Sequence, residues 1–99
     1  MDSQDSAVLW PCPGISPHPI TPRPGARQLR WNATAPGDVR RVLEHTCPCR
    51  STTYELCALG GHRVIRRTVR HLDAIHYAGP WPQRETEVWW ISLLMGQAR

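Results

Sequence analysis

Cys47, Cys49, Cys57 and His62, with His45 close by, form a group of metal-ligand residue types in this sequence. A tetrahedral zinc site needs four such ligands converging at about 2.0 to 2.3 Å from the ion. The spacing serves that poorly. Cys47-Pro48-Cys49 lacks the two-residue gap of a zinc knuckle, and Cys57 and His62 stand on a diagonal about 7 to 8 Å apart across a hairpin. The competing reading makes Cys57 a small buried hydrophobe and leaves Cys47 and Cys49 in a loop. A zinc-stabilised domain is therefore one alternative to a metal-free one.

Thiol catalysis would need Cys57 or Cys49 beside a histidine that a third group orients. His45 and His62 have the right chemistry for the base. The sequence offers no glycine-framed nucleophile turn, no helix amino terminus beside a cysteine and no oxyanion hole, so the chain reads as non-enzymatic. A phosphate-binding glycine loop and a paired-carboxylate site are also missing, because the eight acidic residues are scattered. His71 and His76 read as surface or edge residues.

The stretch that must position these residues is Thr52 to Arg70, which reads as a β-hairpin closed by Gly60-Gly61 in a type I′ turn, with positive φ at both glycines. That loop sets Leu59 opposite His62, Cys57 opposite Val64, Leu56 opposite Ile65, Glu55 opposite Arg66 and Tyr54 opposite Arg67. One face then carries Tyr54, Leu56, Ala58, Ile65 and Val69 with Arg63 and Arg67, and is the better core face. The other carries Thr53, Glu55, Cys57, Val64, Arg66, Thr68 and Arg70. A one-residue slip would lose the Glu55/Arg66 pair and mix the faces.

Around the hairpin, residues 1–30 combine proline, serine and glycine and read as a disordered or extended arm. Trp10 and Ile20, with Val8, Leu9 and Ile15, are its apolar anchors. Residues 31–99 read as one small domain. Val39, Val42, Leu43 and Thr46 fall at helical spacing, with Thr34, Pro36 and Asp38 as start signals, and predict a helix over 36–46 that Pro48 ends. Ile75-His76-Tyr77 predicts a third strand, and Gly79-Pro80-Trp81-Pro82 a break. A terminal helix follows from Gln83 to Met95, stopped by Gly96. The expected fold class is α+β: helix, antiparallel hairpin or three-stranded meander, and helix, both helices lying on the Tyr54/Leu56/Ile65 face.

The terminal helix is apolar nearly all round, and so small a sheet can cover only one of its sides. Trp89, Trp90, Leu93 and Leu94 are accordingly the candidate contacts for a protein partner or a second copy of the chain. A non-enzymatic, self-associating or partner-binding module is the leading expectation. Nucleic-acid binding through Arg63, Arg66, Arg67 and Arg70 is the alternative, because residues 38–71 hold seven arginines against three acids while the whole chain carries +4. All twelve basic residues are arginine, and lysine and phenylalanine are absent, which a high-GC bacterial genome explains. No stretch approaches the about 20 apolar residues of a membrane span, and the first residues lack a secretory signal, so a cytoplasmic protein with reduced cysteines is expected.

The segment YELCALGG-HRVIRRT, followed by GPW and a terminal helix ending in LLMGQAR, resembles small actinobacterial proteins of uncharacterised activity. The likeness spans roughly the last half of the chain. It implies a bacterial source and a compact α/β domain, and carries no activity.

Overall fold

The computed structural model describes residue 12, residues 16–39 and residues 41–99. Trp10, Val8, Leu9 and Ile15 lie outside these residues. Four strands form one antiparallel sheet in the order β1 (Arg41–His45), β2 (Thr52–Leu59), β3 (His62–Val69) and β4 (Ala74–Pro82), and one helix, α1 (Gln83–Leu94), follows.

The central hairpin has the expected register, from Leu59 opposite His62 through Leu56 opposite Ile65 to Thr52 opposite Val69. Its turn differs in one respect. Gly60 has φ +58° while Gly61 lies outside the left-handed range, which is the pattern of a type II′ turn, where only the first central residue needs glycine's freedom.

The helix expected over 36–46 is not formed. Residues 41–45 are instead an edge strand paired to β2, and a bulge between Val42 and Glu44 inserts Leu43 as an extra residue. The bulge is the physical reason for the misreading. It breaks the alternation of period two, so the apolar residues fall at a spacing that imitates a helix face. β-branched Val42 suits the pleated backbone, and the free edge of β2 needs hydrogen-bond partners.

The third strand is longer than Ile75-His76-Tyr77 and runs through the expected break to Pro82. Pairing shifts from Ile65/Ala78 to Arg63/Trp81, so β4 carries an extra residue there. Gly79, at φ +108°, supplies the conformation for that bulge. Pro80 and Pro82 are tolerated because β4 ends the sheet, where a missing N–H costs little.

The core lies on the expected hairpin face. Leu56, Ile65 and Ala78 from the sheet pack with Trp90 and Leu93 of α1, and with Leu29 and Ala98 from the segments flanking the domain. The opposite face has its own buried cross-strand pair, Cys57 and Val64, both fully inaccessible, beside the Glu55–Arg66 ion pair at 2.6 Å.

Residues 20–32 run alongside the end of α1 and the chain that follows it, with a turn at Pro24-Gly25 closed by the Ala26 N–H on the Arg23 carbonyl. The amides of Ile20, Arg23, Arg27 and Leu29 donate to the carbonyls of Leu94, Gly96, Gln97 and Arg99, and Asn32 exchanges two bonds with Tyr77 on β4. Pro22 fits the extended part, since proline has no N–H to leave unpaired, and Pro24 suits the second position of the turn, with Gly25 at φ +82° after it.

Candidate metal centre

β1 ends at His45, and Thr46 pins the chain there: its N–H donates to the Tyr54 carbonyl at 2.9 Å, and its hydroxyl accepts from the Tyr54 N–H at 3.0 Å. The β1–β2 loop therefore starts from a fixed point. Its far end is held where the Arg70 N–H donates to Ser51, and an Arg70 guanidinium nitrogen reaches the Pro48 carbonyl at 2.6 Å. Within this clamped loop Pro48 separates Cys47 and Cys49, both buried.

The arm lies against the same loop. The Cys47 N–H donates to the Pro17 carbonyl at 2.9 Å, which brings the neighbouring His18 to the thiols. Cys12 Sγ lies 3.4 Å from Cys47 Sγ and 3.2 Å from His18 Nε2, and His18 Nε2 lies 3.1 Å from Cys49 Sγ. All four ligand atoms fall within 4.8 Å of one another. A tetrahedron of thiolates and an imidazole on bonds of about 2.0 to 2.3 Å has edges of about 3.3 to 3.8 Å. The Cys12, His18, Cys47 and Cys49 cluster has nearly these dimensions and can hold a metal ion.

Electrostatics agree with the geometry. Burial, followed by the adjacent Cys47 and Cys12 sulfurs, pushes the Cys49 thiol up to about 11. Three crowded sulfurs resist ionising together when no cation is near.

The expected set of Cys47, Cys49, Cys57 and His62 is thus only half assembled. Cys57 is sealed in the second face of the sheet, where burial raises its thiol above the ordinary value, outweighing the lowering effect of Arg66. His62 is exposed beside the hairpin turn. Cys12 and His18 take their places. Their signal in the sequence was modest: a Cys-Pro dipeptide in the arm repeating the one at Cys47, with a histidine six residues on. His45 stays outside the four ligands, its Nδ1 lying 3.2 Å from Ser16 Oγ, a further tie between arm and sheet.

The arginines of β3 and Arg70, which follows it, do not form one surface. Arg66 is engaged by Glu55 on the second face, and Arg70 by Pro48. On the core face Arg63 reaches Gln83, while Arg67 stacks over Trp31 at 4.4 Å and contacts His76 Nδ1. Among the helix residues, Trp90 and Leu93 are buried, and the Trp90 indole N–H donates to Glu44 at 3.1 Å. Trp89 is half-buried between Trp81, stacked at 6.0 Å, and Arg27, over its ring at 4.5 Å; Leu94 is half-buried too. The outward apolar row of α1 is Val88, Ile91 and Met95, exposed to 57%, 57% and 52%.

No protein-family model matches the chain, and neither a curated protein nor a solved structure is significantly similar to it. Among the described residues no helix is long and apolar enough to cross a membrane.

Proposed function

We propose that this chain is a small, non-enzymatic zinc-stabilised domain, in which Cys12, His18, Cys47 and Cys49 hold one structural ion that fastens the proline-rich arm to the sheet. The observation that carries this reading is the mutual approach of four ligand atoms from two distant segments, within 4.8 Å. Three thiols and an imidazole suit zinc, and four protein ligands leave no open position for a substrate or a reactive water. A chain of this size gains much from such a staple, because its core alone contributes only a few kcal/mol.

The test is metal content. The purified chain should carry one zinc per molecule by elemental analysis. Cys12→Ser and Cys49→Ser should each lower zinc affinity by at least about tenfold, while Cys57→Ser leaves it unchanged. A metal-free chain that binds no added zinc would overturn the reading.

A second reading concerns partners. The row Val88, Ile91 and Met95 supports a protein-interaction module, self-associating or binding another protein through α1, with Trp89 and Leu94 flanking the contact. Ile91→Asp should lower the association state, or release a partner, without unfolding the domain. Solution mass with circular dichroism on the same sample decides it. An unchanged monomeric mass at high concentration for both forms, with no captured partner, counts against it.

A further inference from the structure

A cleft of about 450 Å³ lies where residues 19–22 and 28 cross the open end of the β2–β3 hairpin. That volume is in the range of small-molecule sites, about 300 to 1,000 Å³. Arg50, Arg67 and Arg99 line it together with the hydroxyl-bearing Ser51, Thr52 and Tyr54, and among the described residues no aspartate or glutamate does. Three guanidinium groups around one concavity bring positive charge to it.

Arg67 is the most telling of the three. Its Nε is buried and has no hydrogen-bond partner, while its guanidinium is held over Trp31 and one terminal nitrogen lies 3.3 Å from His76 Nδ1. Burial lowers its pKa from the usual arginine value. A partly buried guanidinium is costly to desolvate without a counter-charge, and an anion seated in the cleft supplies one. Across the strand pair Tyr54 is half-buried, and burial keeps its phenol neutral and able to donate. The remaining wall is apolar, formed by Pro19, Ile20, Pro22 and Val69.

From these observations we infer that the cleft binds a small phosphate monoester, its phosphoryl group on Arg67, Arg99 and Arg50 and its organic body against the Pro19/Ile20/Val69 wall. Planar guanidinium groups match phosphate oxygens in bidentate fashion, and the cleft is larger than a bare phosphate requires. The cleft uses none of the metal-ligand side chains. Two of its residues, Pro19 and Arg50, directly follow the ligands His18 and Cys49, so metal content is measured on the same samples and reports on the zinc reading separately.

The experiment is a calorimetric titration of the full chain, as purified, with phenyl phosphate, inorganic phosphate and phenol. Phenyl phosphate should bind at one saturable site, about tenfold tighter than inorganic phosphate, and phenol should not bind. Arg67→Gln and Arg99→Gln should each weaken phenyl phosphate about tenfold, whereas Arg84→Gln, the same charge change on α1 away from the cleft, should leave it unaltered. Arg99 is exposed, so its variant decides the outcome if Arg67→Gln fails to fold. Absence of saturable binding, or an equal loss in Arg84→Gln, overturns the assignment by reducing it to net charge.

Discussion

Two cysteines of this chain show how surroundings divide one side chain's chemistry. Cys49 faces other thiols beside the arm, whereas Cys57 is wedged between strands with no such company. The Cys57 thiol has a folded pKa above the ordinary 9.0, because burial disfavours the thiolate. The folded state therefore holds that proton more tightly than the unfolded one. Its stabilising contribution is complete below the ordinary value and is lost as pH rises through the folded pKa. Tyr54, raised from 10.0 by burial, acts in the same direction at higher pH. The urea midpoint should accordingly fall as pH is taken above about 9, and Cys57→Ala should flatten the first part of that fall. A wild-type midpoint constant up to pH 11 would contradict the assignment. At neutral pH the same burial should keep Cys57 unreactive toward iodoacetamide until the chain unfolds.

Among the elements, the junction behind α1 is where helix, arm and sheet meet. Gly96 has φ +75°, and a Cβ there would stand 2.7 Å from the Thr21 carbonyl oxygen, an atom of the arm backbone that cannot swing aside. Gly60 also has positive φ, at +58°, yet nothing lies within 4 Å of its Cβ position. Alanine at 60 should therefore cost about 1 kcal/mol, the strain alone, while alanine at 96 should cost about 2 to 3 kcal/mol and loosen the arm. Chemical denaturation measures both. Equal losses would mean that the close approach of arm and helix end contributes nothing. The hairpin itself was legible in the chain, because Gly-Gly, strand-forming flanks and the Glu55/Arg66 pair are all local signals that agree. β1 was not, because its bulge places apolar residues out of phase and its pairing with β2 is decided by contacts distant in sequence.

For the whole molecule, the arm and the metal site are one problem. The arm meets the rest of the fold through backbone bonds to the end of α1 and the chain after it, the Asn32–Tyr77 pair, the packing of Leu29 and Trp31 on the core, and the contacts around Cys12, Ser16, Pro17 and His18. If zinc fastens the arm as proposed, removing it should free the arm first and leave the four-stranded sheet to unfold later. On adding a chelator, amide exchange should rise by at least about tenfold at Ile20 and Arg23 and at Cys47, whose N–H bonds to Pro17, while Leu56 and Ile65 in the hairpin stay protected. Uniform loss of protection would show instead that the ion supports the entire fold. No change anywhere would show that it supports none.

The sequence by itself determined the hairpin, its register and core face, and the extent of the terminal helix, because each depends on residues within one or two turns or on pairs set by a tight loop. It also identified Cys47 and Cys49 as ligand types. Which residues complete the candidate metal site was decided by the tertiary structure: Cys12 and His18 lie some thirty residues away, and the Pro17–Cys47 backbone bond and the Ser16–His45 contact bring them there. The same holds for the outward row of α1. A helix apolar all round does not declare which side it buries; the sheet took Trp90 and Leu93, and Val88, Ile91 and Met95 were left outside because packing on one flat layer covers only one side of a cylinder.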